Sequence, residues 1–345
     1  MTHQVAVVGG SGYTGAELLR LLVGHPEMDV VAVTADSNAG KAVADVYPSL
    51  APAYGDLQYQ AYAAGSLAGV DLVFFALPHG ESQRLVPEIA GSVEHVVDLA
   101  ADFRLPAADY EQWYGHAHGA PEILDGFSYG LPELFRDDVA GHDHVAAPGC
   151  YPTTASLALA PLVAAGLVEP TGIIVDAVSG VSGRGRGLTT PSLYSEANES
   201  VSAYGLLTHR HTAEMELALS RVSESDVQVL FTPHLAPMTR GILATCYARP
   251  ATSGLTTAAL LERYHAFYGK EPFVTVVDEP PATKSTLGSN SVHVTVRHDH
   301  RTGTVLAIAA LDNLVKGAAG QAVQGANIVL GLPEDLGLAA VGMVP

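Results

Sequence analysis

The sequence predicts a two-domain α/β protein, with one doubly wound parallel sheet of the Rossmann type and one α+β domain built on a mixed or antiparallel sheet. Three observations carry this prediction. The β-branched run 5–8 is followed at once by a glycine turn, 9–15, and a helical segment, 16–22. Strand-like and helix-like segments then alternate to about residue 100, which is typical of parallel sheets with right-handed crossovers. Several strand-like segments recur in the second half without such alternation, as expected of a second sheet. Their ranges are 172–178, 227–231, 241–247, 273–277, 291–296 and 305–310.

The composition is typical of a compact globular protein. It has 345 residues, 48% of them hydrophobic and 15% charged, so a disordered protein is excluded. A net charge of -19 argues against a large surface that binds nucleic acid or an anionic membrane. Two cysteines give no disulfide framework. The chain enters a strand at 4–8 without a basic region and a long apolar run, and no apolar stretch has membrane-spanning length, so we expect neither a leader nor a membrane span. We expect a soluble cytoplasmic enzyme that acts on a small molecule.

The glycine turn has the spacing G-x-x-G-x-x-G, with glycines at 9, 12 and 15. Glycines between a buried strand and a helix let a pyrophosphate approach the N–H groups of the helix end. The spacing departs from the common fingerprint G-x-G-x-x-G, and a tight turn that binds nothing is the alternative.

The end of the second strand, 29–35, is where an adenosine ribose lies in such folds. Asp36 suits the free 2′-hydroxyl of NAD, whereas Ser37, Asn38 and Lys41 suit the 2′-phosphate of NADP. These residues leave the choice between the two cofactors open.

A third strand, 71–77, ends at the turn 78–80, and a helix, 81–90, and a strand, 95–100, follow. Arg104 lies just beyond, where it either clamps a substrate carboxylate or phosphate or pairs with Asp98 or Asp102. We expect the segment 110–144 to be a connection that carries surface features.

Cys150 follows the turn Pro148-Gly149, and Pro152 occupies a position that suits the first turn of a helix. At a helix N-terminus the dipole and the unpaired N–H groups favour an anion, so this thiol is expected to ionise more readily than a free cysteine. The alternative is a buried cysteine that only fills space. Cys246 lies within a strand-like segment and is expected to be such a core residue.

Further candidates lie in the second half of the chain. Residues 179–187 read as a flexible glycine-rich loop suited to close contact with phosphate or cofactor. His209 and His211 open a helix and can flank one pocket, although a lone histidine is usually structural. No metal-ligand spacing accompanies them, so no metal is expected. Asn313 leads a helix that runs to Leu330 and is expected near a nicotinamide, or else it is a plain helix cap.

The chain resembles the N-acetyl-γ-glutamyl-phosphate reductase family, which has the semialdehyde dehydrogenase-like fold. The motifs that carry the resemblance occur in order along nearly the whole chain. They are Gly9-Gly-Ser-Gly-Tyr-Thr-Gly15, Leu77-Pro-His-Gly80, Ala101-Asp-Phe-Arg104, Pro148-Gly-Cys-Tyr-Pro-Thr153, Val178-Ser-Gly-Val-Ser-Gly183, His209-Arg-His211, Arg240-Gly-Ile-Leu243 and Asp312-Asn-Leu-Val-Lys-Gly317.

The resemblance implies NADPH-dependent reduction of N-acetyl-L-glutamyl 5-phosphate to the semialdehyde, the third step of arginine biosynthesis. It implies Cys150 as nucleophile, His209 as acid/base, and substrate contacts from Arg104, His211 and Arg240. We expect an NADP(H)-binding domain of residues 1–149 and 313–345, a catalytic and dimerisation domain of residues 150–312, and a dimer or tetramer. The residues expected to contact the cofactor are Gly9, Ser11, Gly12, Tyr13, Thr14, Gly15, Ser37, Pro78, Ser182, Gly183 and Asn313.

Alternatives remain within and outside this chemistry. Aspartate-semialdehyde dehydrogenase and a lysine-pathway reductase of a carrier-bound aminoadipyl phosphate share it, but a chain at -19 would repel an acidic carrier. A non-catalytic dinucleotide sensor has no need of Cys150 and His209 together. A thiol redox sensor needs a resolving partner, for which Cys246 is poorly placed.

Overall fold

The computed structural model describes residues 2–344, which divide into two compact units. The first comprises residues 2–148 and 318–338, and the second comprises residues 149–317 and 339–344. Met1 and Pro345, the outer ends of the predicted first domain, lie outside the described residues.

The first unit is a parallel α/β domain. Its strands are β1 (His3–Val8), β2 (Met28–Thr34), β3 (Leu72–Phe75), β4 (His95–Asp98), β5 (Phe127–Tyr129) and β6 (His144–Ala146). Its helices, up to residue 148, are α1 (Tyr13–Leu22), α2 (Val43–Val46), α3 (Ala51–Tyr54), α4 (Ser82–Ile89), α5 (Ala107–Tyr114) and α6 (Pro132–Ala140). The strand order is β2-β1-β3-β4-β6-β5, with every neighbouring pair parallel. The predicted doubly wound sheet is therefore confirmed.

The prediction that 110–144 is a surface connection is wrong. This segment supplies β5, α6 and the start of β6, and it buries Tyr110, His118 and Tyr129. The two strands are three residues long, too short to show the period of a half-buried strand.

The second unit is an α+β domain. Its helices are α7 (Cys150–Ala164), α8 (Tyr194–Ala197), α9 (His211–Ser223) and α10 (Thr257–Tyr268). Its strands are β7 (Ile173–Gly180), β8 (Ser202–Ala203), β9 (Val229–Ala236), β10 (Ile242–Ala248), β11 (Val274–Val276), β12 (Val292–Asp299) and β13 (Thr304–Leu311). The sheet order is β11-β12-β13-β10-β7-β9-β8. Pairs β7–β9 and β11–β12 are parallel and the others antiparallel, so the predicted mixed sheet is confirmed.

Helix α7 is the central element of the second unit. All its side chains from Tyr151 to Val163 are buried, and it packs on β10, β12 and β13. Pro161 lies inside the helix and has no N–H to donate to the carbonyl of Leu157. The hydroxyl of Tyr268 on α10 donates to that carbonyl at 2.6 Å. The helix that begins at Cys150 is thus held in the core despite the proline.

The seven-stranded sheet has one covered and one open face. Along β7 and β10 the side chains alternate between buried and more exposed, which is the pattern of a sheet with helices on one side. Cys246 on β10 points to the covered side, and complete burial raises the pKa of its thiol to about 12. Its predicted place in the core is confirmed.

The chain returns to the first unit through α11 (Gly320–Val329), which packs against α1, α6, β4 and β6. A π-helical turn, Val315–Ala319, precedes it. Asn327 on α11 shares a 2.9 Å hydrogen bond with the ring of buried His25, which fixes this return segment. Within residues 2–344, no helix combines the length and the apolar character needed to cross a membrane.

Candidate active site

The glycine turn packs directly on the end of the neighbouring strand β3. Gly9 has φ +88°, and a Cβ there would lie 2.5 Å from the carbonyl oxygen of Ala76 and 2.9 Å from the side chain of Leu77. Strand order reverses between β1 and β3, and ligands of open α/β sheets bind in the crevice at such a point. The turns after β1 and β3 are therefore the two walls of this crevice.

Helix α1 begins at this crevice with its N-terminus free of a side-chain cap. Gly12 is its N-cap, and a Cβ on Gly12 would meet only the oxygen of Gly9, at 3.9 Å. Packing alone thus does not require glycine at position 12, but a side chain there would fill the space in front of the helix end. A Cβ on Gly15 would clash with Gly10 at 2.6 Å. With Ser11, Tyr13 and Thr14, these glycines form a cradle that fits a pyrophosphate.

Ser37 lies in a short 3₁₀ turn, Asp36–Asn38, directly after β2. The ammonium of Lys41 donates to the side-chain oxygen of Asn38 at 3.1 Å, and the Asn38 amide lies 3.4 Å from the Ser37 hydroxyl. Exposed hydroxyl, amide and ammonium groups are thus grouped beside Asp36, at the position expected for an adenosine ribose.

The turns after β3 and β4 are joined by buried carboxylates. Pro78 lies in the first of these turns, and Asp102 in the second accepts hydrogen bonds from the N–H groups of Gly80, at 2.7 Å, and Gln83, at 3.1 Å. Arg104 is only 8% exposed and donates to the carbonyl of Leu99 at 2.8 Å. Its side chain therefore lies in the interior of this edge.

Cys150 is the first residue of α7, as its sequence context predicts, and Gly149 is the N-cap. The N–H of Gly149 donates to Oε2 of Glu214 at 2.9 Å. The other oxygen of this fully buried carboxylate lies 3.8 Å from Nε2 of His211. Residues from α7 and α9 are thus fixed to each other at the residue before the cysteine.

His209 and His211 come together as predicted, with ring centroids 4.8 Å apart. His209 also makes edge contacts with Tyr151, Tyr204 and Phe231. Burial, and secondarily the neighbouring His211, lower the pKa of His209 to about 3. Its Nδ1 accepts from the N–H of His211 at 3.3 Å, so the neutral ring carries its proton on Nε2. The described geometry therefore gives a neutral imidazole at physiological pH.

Arg240 and Asn313 belong to a second polar cluster of the same unit. A guanidinium nitrogen of Arg240 lies 3.6 Å from the carboxylate of buried Asp312. Asn313 accepts from the N–H of Gly241 at 2.7 Å and donates to the hydroxyl of Ser182 at 3.0 Å. The alternative that Asn313 is a plain helix cap is wrong, because Asp312 makes the capping bonds, to the N–H groups at 314 and 315.

Gly317 connects this cluster to the cysteine. A Cβ on Gly317 would lie 2.8 Å from Cβ of Cys150, so the backbone at 317 packs directly on the nucleophile candidate. Gly183 lies beside Asn313, with the amide nitrogen 3.7 Å from the position a Cβ would take. Cys150, Ser182, Gly183, His209, His211, Arg240 and Asn313 all belong to the second unit.

Sequence reasoning missed three residues of these sites: Asp102, Glu214 and Gly317. A glutamate in the first turn of a helix is ordinary, so Glu214 gave no signal. From the sequence, Asp102 stands out only as a partner for Arg104. Across residues 2–344 no three histidine, cysteine or carboxylate side chains are grouped so as to hold a metal ion.

Two family descriptions match the chain. Residues 4–142 match "Semialdehyde dehydrogenase, NAD binding domain" and residues 150–313 match "Semialdehyde dehydrogenase, dimerisation domain". Among similar curated proteins, an N-acetyl-gamma-glutamyl-phosphate reductase of Geobacter sulfurreducens is 49% identical, covering 99% of each chain. The chain belongs to the N-acetyl-gamma-glutamyl-phosphate reductase family. Other members of that family, from Symbiobacterium thermophilum and Pseudomonas fluorescens, are 48% and 46% identical over at least 99% of both chains.

Solved structures of lower identity share the fold of this reductase family. The aspartate semialdehyde dehydrogenase II of Vibrio cholerae, complexed with ASA, superposes with a TM-score of 0.73 at 16% identity, covering 96% of this chain and 99% of that one. The aspartate semialdehyde dehydrogenase of Candida albicans with NADP gives 0.68 at 17% identity, with the same coverage. The predicted semialdehyde dehydrogenase-like fold is thereby confirmed.

Proposed function

We propose that this chain reduces N-acetyl-L-glutamyl 5-phosphate to N-acetyl-L-glutamate 5-semialdehyde and phosphate with NADPH, as a step of arginine biosynthesis. The observation that carries the proposal is the position of Cys150. It is the first residue of α7. The preceding residue, Gly149, donates its N–H to Glu214 and packs against the ring of His211. This arrangement supports acyl transfer to sulfur.

Cys150 is the nucleophile in this proposal. Its sulfur attacks the acyl carbon, a tetrahedral oxyanion forms, and phosphate leaves with the C–O bond electrons, so that a thioester remains on the protein. The first turn of α7 has no side-chain cap, and its N–H groups are suited to stabilise the oxyanion. Pro152 contributes none, because it lacks an N–H.

When bound, NADPH supplies the hydride that reduces the thioester. The thiohemiacetal left on Cys150 then collapses to the aldehyde, which requires a proton to leave the oxygen and one to reach the sulfur. We assign this proton transfer to His209: the Nε2 proton of its neutral ring passes to the sulfur, and the same nitrogen takes up the proton that leaves the substrate oxygen. We assign a substrate contact to His211, whose ring is oriented by Glu214.

The substrate is an anion, and the chain as a whole carries a net charge of -19. Local cations must therefore provide its binding energy. We assign contacts with its carboxylate or phosphate to Arg240, and to Arg104 through the 8% of its surface that stays exposed. Arg240 keeps part of its surface exposed, at 26%, while its contact with Asp312 limits the directions in which the guanidinium points.

The cofactor residues in this proposal are those predicted from the sequence. The cradle of 9–15 would hold the pyrophosphate, and the hydroxyl, amide and ammonium of Ser37, Asn38 and Lys41 would hold the 2′-phosphate. Pro78, Ser182, Gly183 and Asn313 would complete the contacts. We also infer that the reaction takes place in the cytoplasm.

We also propose that the chain forms a dimer or tetramer through the open face of the second sheet. Four apolar residues form a row across adjacent strands on that face, namely Leu306, Tyr247, Ile174 and Leu230. The last three are 37%, 40% and 49% exposed, which is unusual for a free surface. Ile174→Asp is expected to lower the molecular mass measured by light scattering, and Leu188→Asp, at a loop residue 89% exposed, is the control. A wild-type monomer, or an unchanged I174D oligomer, would contradict this.

The function is tested in the reverse direction, by following NADP⁺ reduction in the presence of phosphate. N-acetylglutamate semialdehyde and aspartate semialdehyde are compared at equal concentrations, with NAD⁺ in a parallel series. We expect phosphate-dependent turnover with the acetylated substrate and NADP⁺, and none with Cys150→Ser. Dinucleotide binding without turnover would overturn the proposal in favour of a carrier-bound substrate or a non-catalytic binder.

A further inference from the structure

The turn that follows β3 is one wall of the crevice at the β1/β3 switch point. Its first residues, Ala76 and Leu77, are in contact with the glycine turn at Gly9. Gly80 has φ +91°, a conformation that favours glycine, and α4 starts two residues later. This wall, residues 76–83, has no regular secondary structure up to Glu81, so its shape depends on what holds it.

The carboxylate of Asp102 holds this wall from the next turn of the sheet. Its Oδ1 accepts from the N–H of Gly80 at 2.7 Å and from the hydroxyl of Tyr110 at 3.3 Å, and its Oδ2 accepts from the N–H of Gln83 at 3.1 Å. Asp102 is fully buried. One carboxylate therefore fixes both Gly80, with its positive φ, and the first turn of α4.

The contacts of Asp102 continue into a closed polar network. The side-chain amide of Gln83 donates to the hydroxyl of Tyr110 at 3.0 Å, and its oxygen accepts from the N–H of Gly119. The ring of His118 bonds the carbonyl of Asp102 at 2.8 Å. Because Gln83, Tyr110 and His118 are themselves buried, Asp102 cannot turn away from the wall without breaking several bonds.

A second buried acid, Asp98, holds the same wall at Ser82, whose hydroxyl donates to it at 2.7 Å. Its other oxygen, Oδ2, has no partner within the described residues. Burial, and after it the nearby Asp102, raise the pKa of Asp98 to about 7. Two acids buried side by side cost stability, and such pairs are concentrated at functional sites.

We propose that Asp102 is a positioning residue for the cofactor. By holding the turn after β3, it sets the affinity for the nicotinamide half of NADPH, which lies on the other side of the β1/β3 switch point from β2. The proposal rests on the function proposed above. The strand order β2-β1-β3-β4 places Ser37, Asn38 and Lys41, which follow β2, on one side of the crevice. The wall held by Asp102 lies on the other side. The adenosine half, recognised after β2, is therefore insensitive to Asp102, whereas the nicotinamide half depends on it.

The test compares two ligands on Asp102→Asn, which keeps the shape but leaves only one acceptor oxygen. NADPH binding is measured by fluorescence, and binding of adenosine 2′,5′-bisphosphate, which carries only the adenosine half, by calorimetry. Hydrogen bonds to a charged group support an expected loss of about tenfold in NADPH affinity. The affinity for adenosine 2′,5′-bisphosphate should change by less than about twofold.

Asp71→Asn is the matched control. Its carboxylate also accepts a backbone N–H, that of Gln4 at 2.7 Å, but at the opposite end of β3. We expect D71N to leave both affinities unchanged. Should D102N fail to fold, Ser82→Ala releases the same wall more gently, and NADPH affinity alone should fall there too.

Equal weakening of both ligands in D102N, or no weakening of either, would overturn the proposal and leave Asp102 a structural residue. Failure of the proposed function would appear differently. Wild-type protein that binds both ligands but does not turn over the acyl phosphate or semialdehyde would refute the function, while the D102N comparison would still decide the role of Asp102.

Discussion

The ring of His211 fills the space that a side chain on Gly149 would need, at the start of α7. A Cβ on residue 149 would lie 2.5 Å from Nε2 of His211 and within 2.9 Å of two of its ring carbons. The imidazole thus stands where any other residue before Cys150 would place its side chain. This contact, together with the bond from Gly149 to Glu214, joins the nucleophile's turn to the helix that carries the histidine.

Replacing Gly149 by alanine should therefore damage the site. The new methyl group must displace the ring of His211, and overpacking of this kind costs about 1–3 kcal/mol of stability. We expect kcat/KM to fall by more than about tenfold, because small displacements of reacting groups are costly. Activity and thermal unfolding are measured beside Gly24→Ala, where a Cβ would meet nothing within 4 Å. Full activity in G149A would show that the His211 contact is dispensable.

His209 should produce no pH-dependent change in activity over the range in which histidines usually titrate. Since the pKa of His209 is lowered to about 3, it stays neutral from pH 5 to pH 9 and gives no acid limb there. We expect His209→Asn to lower kcat while leaving the shape of the kcat/KM profile between pH 5 and pH 8 unchanged.

His211→Asn is measured in parallel, with surface His265→Asn as the control. If an acid limb present in the wild type disappears in H209N, His209 titrates in this range and the neutral-ring account is incorrect. If H211N loses both the limb and the activity, the acid/base role belongs to His211.

Asp98 should make the protein less stable as pH rises from about 4 to 7. Its pKa is about 7 in the folded chain against 3.8 in the unfolded one, so the native state binds more protons over this interval. Stability contributed by the protonated form is lost as pH rises through the folded pKa. Urea unfolding at pH 4.5 and pH 7.5 should show this loss in wild type and a smaller one in Asp98→Asn. Parallel losses in both proteins would mean that Asp98 does not titrate there.

Replacing Asn313 by aspartate should lower the stability of the protein. Asn313→Asp keeps the acceptor for the N–H of Gly241 but removes the donor to Ser182, at a residue only 2% exposed. The Ser182 hydroxyl can turn to donate to the new carboxylate, but a negative charge is then buried at this position, which costs about 1–3 kcal/mol or more, so the midpoint of urea unfolding should fall. Exposed Asn198→Asp provides the comparison, and equal midpoints for the two variants would show that position 313 accepts a carboxylate without loss of stability.

The order of elements and the context of Cys150 were open to prediction because they depend on local rules. Proline and glycine around a cysteine fix where α7 begins, and glycines after β1 fix the turn of the first sheet. The pairing of His209 with His211 follows from their place at a helix start.

The contacts made across the sequence were not open to prediction. Glu214 reaches Gly149 from 65 positions away, and nothing local distinguishes it from any other helical glutamate. Strands β5 and β6 are too short to show a period, so their parallel pairing appears only when the sheet is assembled. Asp102 acts through backbone N–H groups, which carry no signal in the side-chain sequence.

The most direct test of the central claim is the mass of the protein after incubation with N-acetylglutamyl phosphate without NADPH. We predict that wild type gains the mass of one N-acetylglutamyl group, located on Cys150 by peptide mapping, removed by hydroxylamine and absent from Cys150→Ser. A wild-type protein that turns over the substrate but shows no adduct, or carries it on another residue, would contradict catalysis through a Cys150 thioester.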